Sequence, residues 1–141
     1  MQKQVQAYLL SDEKELLQPE AILALLQDTA WAKHYTPDII HGIICNSLCM
    51  GLYLNGTQVG FARCVTDYTT VYYLEDVVIH PEHRGRGLGK ALVQTILDQE
   101  PICRLKGILV TEDAFSLYEK YGFERDREIF MKKVSPLNGC F

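Results

Sequence analysis

The sequence has few of the features that mark membrane, secreted or nucleic-acid-binding proteins. None of its apolar runs reaches the length of a membrane span, and residues 1–15 lack the apolar segment and cleavage site of a signal peptide. Its five cysteines form no CxxC pair and no Cys/His metal spacing, which favours reduced thiols. The net charge is −4 without a basic tail. We therefore expect a cytoplasmic protein that binds neither membranes nor nucleic acid.

Length and composition are ordinary for a globular protein. The chain has 141 residues, of which 48% are apolar and 23% charged. These values suit one domain, 1–141, built around one core. The chain shows no internal repeat, linker or low-complexity segment.

The stretch 74–92, LEDVVIHPEHRGRGLGKAL, joins a strand pattern to a helix pattern through a glycine-rich turn. The branched apolar run before His80 predicts a buried strand, which Pro81 ends. Gly85, Gly87 and Gly89 leave no side chain over the first N–H groups of the following helix. Those N–H groups and the helix dipole favour anions. Three basic residues flank the glycines: Arg84, Arg86 and Lys90. The turn is therefore predicted to bind a phosphate or pyrophosphate.

The spacing of the glycines selects among phosphate-binding motifs. The dinucleotide motif G-x-G-x-x-G fails by one residue, and the P-loop would require a glycine at Arg84 and a hydroxyl at Ala91. The pattern that fits is R-x-x-G-x-G, as Arg84-x-x-Gly87-x-Gly89. This resembles the acetyl-CoA motif of the GNAT N-acetyltransferases, in which the turn binds the pyrophosphate of coenzyme A. Three further segments are similar to a small uncharacterised bacterial GNAT subgroup: WAKHY, NSLCMGLY and VGFARCVTDYTTVYYLEDV.

The order of predicted elements agrees with that resemblance, which covers nearly the whole chain. The GNAT fold is an α/β (α+β) fold with a mixed central sheet of six to seven strands and about four helices. The order predicted here is β-α-α-β-β-β-α-β-α-β. The predicted strands are 4–10, 49–54, 58–66, 71–79, 105–110 and 128–133, and the predicted helices are 19–28, 37–46, 88–100 and 113–121.

A second motif lies in 114–123, AFSLYEKYGF, which resembles the family segment A-x-x-L-Y-E-K-x-G-F. In many members the tyrosine of this segment lies near the coenzyme sulfur and protonates the departing thiolate. The matching residue is Tyr118. A tyrosine with a pKa near 10 is protonated at neutral pH and can act as this acid. Packing on one helix face is the alternative role.

The proton acceptor is expected among the acidic residues of the strand 71–79. Glu75 and Asp76 are adjacent, so strand alternation directs them to opposite faces and one of them to the cleft. Their Glu-Asp-Val-Val run resembles that of the glucosamine-phosphate acetyltransferases. We favour Glu75, with Asp67 in the preceding turn a third candidate. The alternative is that both strand carboxylates are solvated or pair with Arg63.

The resemblance also implies the coenzyme contacts. Main-chain groups of 77–79 would polarise the thioester and pair with pantetheine, because a bulge separates this strand from its neighbour in the family. Thr111 stands where many members have a coenzyme-binding asparagine, so Thr111 or Asp113 is expected to replace it. The full predicted set is Val77, Val78, Ile79, Arg84, Gly85, Arg86, Gly87, Leu88, Gly89, Lys90, Thr111 and Asp113.

The expected activity is direct transfer of an acetyl group from acetyl-CoA to a primary amine of a small molecule or peptide. The thioester is already activated, so the reaction requires no metal. The alternative is a non-catalytic acyl-CoA-binding sensor or assembly module. The expected partners are acetyl-CoA and the amine, and sheet edges or the segment 134–141 could pair two copies as a homodimer.

Overall fold

The computed structural model of the protein describes residues 1–126 and 128–133. In this part of the chain, six strands form one sheet in the order of the sequence. The strands are β1 (Gln2–Val5), β2 (Tyr8–Ser11), β3 (Leu48–Leu54), β4 (Thr57–Thr66), β5 (Val71–Ile79) and β6 (Lys106–Ile108). The α-helices are α1 (Pro19–Gln27), α2 (Pro37–Asn46), α3 (Leu88–Leu97) and α4 (Phe115–Glu119). The predicted mixed α/β fold is confirmed.

The first five strands are joined in antiparallel pairs, and β6 runs parallel to β5 after a crossover through α3. Buried apolar side chains form two clusters, one on each face of the sheet. One cluster contains the inner face of α3, and the other contains those of α1 and α2. Helices thus cover both faces of the sheet, and the edges and strand ends are the parts of it that a ligand can reach.

Local signals account for several element boundaries. Proline is the first residue of α1 and of α2, where its missing N–H costs no helical hydrogen bond. The Thr36 side chain accepts a hydrogen bond from the Ile39 N–H and so caps α2. Asn55 and Gly56 both have positive φ, +49° and +79°, as a tight turn between antiparallel strands requires.

The predictions for the two ends of the described chain were wrong. The single strand predicted over 4–10 is a hairpin of β1 and β2, because Gln6 adopts φ +53° and the chain reverses there. Residues 128–133 do not form the predicted strand, so the described sheet ends at β6. The third and fourth helices are also shorter than predicted, and end at Leu97 and Glu119.

No helix in the described part of the chain is long and apolar enough to cross a membrane. The segment 134–141, considered for dimer formation, lies outside the described residues. The expected single domain, 1–141, stays a prediction.

Candidate functional site

The central feature of the site is a β-bulge in β5. Arg63 pairs with Glu75, and Phe61 pairs with Val78, so Asp76 and Val77 lie opposite Ala62 alone. Asp76 has φ +54°, a left-handed conformation that aspartate tolerates better than most residues. One residue is thereby inserted into the strand.

The bulge inverts the alternation of side chains along β5. Before it, Leu74 packs in the cluster on the α3 face. After it, Ile79 belongs to that cluster while Val78 packs with α1 and α2. Without the bulge, Leu74 and Val78 would share a face. The expectation that Glu75 and Asp76 point to opposite faces was therefore wrong.

Both carboxylates instead bind the same guanidinium. Arg63 Nη2 donates to Glu75 at 2.6 Å, and Arg63 Nε donates to Asp76 at 2.7 Å. Its third nitrogen, Nη1, donates to the Ser47 hydroxyl at 3.2 Å. Pairing with Arg63, which the sequence left as an alternative, is what the structure shows.

The two carboxylates differ in their exposure. The Asp76 side chain is 1% exposed and the Glu75 side chain 35%. Burial raises the pKa of Glu75, the Arg63 guanidinium lowers it, and Asp76 raises it again, with a net rise. Glu75 is thus the carboxylate that both reaches solvent and holds a proton more readily than an ordinary glutamate.

Asp67, the third candidate base, is occupied by its own turn. Its carboxylate accepts hydrogen bonds from the Thr70 hydroxyl and from the N–H groups of Thr69, Thr70 and Val71. These bonds, with the Thr70 hydroxyl foremost, hold the pKa of Asp67 well below its ordinary value. Such a carboxylate is a poor proton acceptor.

An open cleft lies beside the bulge. The pairing of β5 with β6 extends only from Val71 to Tyr73, so further along β5 no described strand covers this edge. A cavity of about 480 Å³ lies there, between residues 73–77 on one wall and 109–118 on the other. Glu75, Trp31 and Tyr118 all line it.

Tyr118 has a partly buried ring and a hydroxyl that has no hydrogen-bond partner within the described residues. Its ring contacts that of Phe123 edge to face, at 6.2 Å between centroids. Burial, followed by the charges of Asp113 and Tyr121, raises the pKa of Tyr118 above 10. The hydroxyl therefore remains protonated well above neutral pH and can donate its proton into the cleft.

The glycine turn has the backbone that the sequence predicted. Gly85 and Gly87 have φ of +77° and +76°, which only glycine adopts without cost. Gly87 is the N-cap residue of α3, and no side chain makes a capping hydrogen bond there. A Cβ added at either glycine would meet no heavy atom within 4 Å. The space beside the start of α3 is therefore open, and Gly87, Leu88 and Gly89 line it; unpaired N–H groups at a helix start beside such a space fit a diphosphate.

A second cavity of about 400 Å³ lies over this turn and the end of β5. Val77, Val78 and Ile79 form one side of it, and Leu88 and Gly89 belong to the start of α3. Trp31 and Val77 line both cavities, so the groove at the glycine turn and the cleft at Glu75 and Tyr118 are adjacent.

The three basic residues of the turn differ in their contacts. Arg84 Nε donates to the Ile79 carbonyl at 2.9 Å, and Arg86 Nη1 donates to the Tyr8 hydroxyl at 3.3 Å. Lys90 is exposed on the first turn of α3. Arg84 also belongs to the lining of the second cavity, which does not include Arg86 or Lys90; Arg84 and Arg86 brace the turn through their hydrogen bonds.

Thr111 and Asp113 lie at the far wall of the cleft. The Thr111 hydroxyl accepts a hydrogen bond from the Ala114 N–H at 3.0 Å, so it closes the turn before α4. Its own proton remains available to a ligand. Asp113 is exposed. Either residue is placed to contact a ligand in the cleft.

His80, Glu82 and His83 place potential metal ligands within 4.8 Å of one another. His80 Nδ1 accepts from the Glu82 N–H, and His83 Nδ1 lies 2.8 Å from the Tyr8 hydroxyl. The two Nδ1 atoms are therefore engaged in hydrogen bonds, that of His80 within the loop and that of His83 with β2. The expectation that the reaction requires no metal stays a prediction.

Sequence reasoning did not find the contact between Trp31 and the bulge. The indole N–H of Trp31 donates to Asp76 Oδ1 at 2.9 Å, and the Tyr35 hydroxyl lies 3.4–3.5 Å from the same carboxylate. Burial and the Asp76 charge raise the pKa of Tyr35 to about 12. The aromatic cluster between the first two helices was the available signal, but nothing local linked it to Asp76.

Comparison with known proteins gives consistent matches. A family model described as an acetyltransferase (GNAT) domain matches residues 46–125. FG08082 of Gibberella zeae, named as an acetyltransferase, is 35% identical over 91% of this chain and 86% of its own length. Glucosamine 6-phosphate N-acetyltransferase of Trypanosoma brucei brucei is 41% identical over a shorter segment, 38% of this chain and 37% of that protein.

Solved structures agree with this result. The crystal structure of a GNAT-family protein from Xanthomonas campestris pv. campestris is 38% identical, with a TM-score of 0.86 over 92% of this chain and 94% of that one. An acetyltransferase structure from Deinococcus radiodurans R1, 19% identical with a TM-score of 0.75 over 99% of both chains, shares the fold.

Proposed function

Because this chain belongs to the GNAT family of acetyltransferases, we propose that it transfers an acetyl group from acetyl-CoA directly to a primary amine of a small molecule or peptide. One observation carries the proposal. The groove over the glycine turn and the cleft between Glu75 and Tyr118 are adjacent, and they share Val77 beside the bulge and Trp31 as lining residues. A phosphate-bearing thioester can therefore lie along one path from its anion site to its reacting end.

The groove supplies the binding interactions for acetyl-CoA. Free N–H groups at the start of α3 would hold the diphosphate, and Lys90 would add charge. The unpaired edge of β5 offers main-chain groups of residues 77–79 to the pantetheine amides. Thr111 and Asp113 would complete the far wall. The Val77 N–H, turned by the bulge, would polarise the thioester oxygen.

The cleft supplies a proton acceptor and a proton donor. An alkylammonium ion has a pKa near 10.4 and must lose a proton before its nitrogen can attack. Glu75, directly or through a water, would accept that proton. The new C–N bond forms as the amine attacks the thioester carbon, and the C–S bond then breaks. Tyr118 would protonate the departing thiolate, and the second proton of the amine nitrogen would restore the tyrosine. The products are an N-acetylated amine and free coenzyme thiol.

The experiment that tests the proposal is a panel of primary amines with purified protein and acetyl-CoA, with thiol release as the readout and mass spectrometry to identify the acetylated product. Activity should require both substrates and yield one thiol per amide. If acetyl-CoA binds but no amine is acetylated, the chain is an acyl-CoA-binding sensor or assembly module instead. If acetyl-CoA does not bind, both readings fail.

A further inference from the structure

Asp76 has the properties of an anchor and not those of an acceptor of protons. Its side chain is 1% exposed, and both of its oxygens already accept hydrogen bonds. Oδ2 accepts from Arg63 at 2.7 Å and Oδ1 accepts from Trp31 at 2.9 Å. The Asp76 carboxylate is thus closed off from solvent, whereas Glu75 beside it reaches solvent.

The position of Asp76 in the backbone explains what it anchors. It has φ +54° and is the residue at which β5 gains its extra position. The bulge brings Glu75 to the same guanidinium as Asp76 and leaves Val77 in both cavities. Whatever fixes Asp76 therefore sets the direction of the candidate base and of the adjacent N–H group.

Trp31 links Asp76 to a part of the cavity lining that lies outside the sheet. It belongs to the connection between α1 and α2, is 41% exposed and lines both cavities. Its only bond to β5 within the described residues is the indole N–H bond to Asp76. The α1–α2 connection and the bulge are therefore joined at Asp76, through the short bond from Trp31 and the longer contacts of the Tyr35 hydroxyl.

We infer that Asp76 and Trp31 act as a single positioning unit, which holds the bulge so that Glu75 and the Val77 N–H face the thioester. This inference rests on the proposed acetyl transfer. Neither residue touches the reacting atoms in this role. Their effect passes through Glu75 and Val77, and loss of either partner should disturb the same geometry.

The test uses Asp76→Asn, which suits a left-handed backbone and removes the charge, and Trp31→Phe, which keeps a ring and removes the N–H. Each should lower kcat roughly 10- to 100-fold, the effect of a misplaced reacting group, while the Kd for acetyl-CoA changes less than about twofold. The double variant should be no slower than the slower single variant, because the two residues act together. Asp98→Asn removes a carboxylate that bonds Gln94 at the end of α3, and should leave kcat unchanged.

The pH profile separates positioning from catalysis. If Glu75 is the base, Asp76→Asn keeps the acid limb of kcat/KM and moves it to lower pH, since the Asp76 charge no longer opposes ionisation of Glu75. Loss of the acid limb in Asp76→Asn would make Asp76 the base and overturn the inference. Single-variant losses that multiply in the double variant, or unchanged kcat in both single variants, would overturn it as well.

A spectroscopic readout tests the unit even if no amine is acetylated. The chain has one tryptophan, so its NMR spectrum contains a single indole N–H resonance. That resonance should shift and exchange faster in Asp76→Asn but not in Asp98→Asn, and the Val77 amide should shift in Trp31→Phe. An indole resonance unaffected by Asp76→Asn would refute the unit, whereas absent transfer activity alone would refute the proposed function.

Discussion

Replacing Gly87 with alanine should weaken acetyl-CoA binding far more than it destabilises the fold. Gly87 has φ +76°, and an added Cβ would meet no heavy atom within 4 Å. The cost in the free protein is therefore conformational alone. Alanine in the left-handed region costs about 1–2 kcal/mol of the free energy of unfolding, which lowers the Tm by roughly 3–8 °C in a chain of this size.

The effect on binding has a different origin. The new methyl group would occupy the space above the first N–H groups of α3, where we place the diphosphate. Loss of one charge-assisted hydrogen bond costs about 1.5–3 kcal/mol. The Kd for acetyl-CoA should therefore rise about 10- to 150-fold.

Gly56 is the matched control. It has φ +79° and likewise no heavy atom within 4 Å of an added Cβ, but it lies in the turn between β3 and β4. Gly56→Ala should lower the Tm by a similar amount and leave the Kd unchanged. Calorimetric titration and thermal melting of the two variants give both quantities. Equal Kd values for acetyl-CoA in Gly87→Ala and Gly56→Ala would refute the proposed diphosphate site.

Three further predictions follow from individual side chains. Tyr118→Phe should lower kcat by roughly 10²-fold or more, as expected for a lost general acid, with the Kd for acetyl-CoA unchanged; turnover close to wild type would leave Tyr118 a packing residue. Glu75→Gln keeps a hydrogen bond to Arg63 but cannot accept a proton, so kcat/KM should fall roughly 10²- to 10⁴-fold and the acid limb of its pH profile should disappear; a retained limb would point to another base. The hydrogen bonds of the turn, with that from the Thr70 hydroxyl foremost, lower the folded-state pKa of Asp67. The ionised Asp67 carboxylate therefore stabilises the fold fully above the unfolded-state pKa of about 3.9, and this contribution is lost as the pH falls towards the folded-state pKa. The difference in Tm between wild type and Asp67→Asn should therefore narrow between pH 5 and pH 3, and a constant difference would contradict this.

The elements predicted correctly from sequence are those with strong local signals. The β5 strand, 71–79, and the α2 helix, 37–46, have the predicted bounds. The glycine turn is also where the sequence placed it. In each case the deciding interactions lie within a few residues: Thr36 caps α2, Pro81 ends β5, and the glycines permit positive φ.

The predictions failed where a partner distant in sequence decides the backbone. The alternation rule placed Glu75 and Asp76 on opposite faces, but the register of β5 against β4 inserts a residue at Asp76. Strand patterns also missed the reversal at Gln6 and predicted a strand over 128–133. Pairing determines whether an apolar segment becomes a strand, and the pattern alone does not report the partner.

The sequence by itself determined the candidate anion-binding turn and the candidate acid at Tyr118, because each depends on a short motif whose backbone or side-chain chemistry is local. Only the tertiary structure decided which carboxylate is open to the cleft. That outcome depends on Arg63 and Trp31, which reach Asp76 from another strand and another helix connection. Burial and hydrogen bonding are properties of the assembled fold, so two adjacent acidic residues with the same chemistry acquire different environments only after the chain has folded.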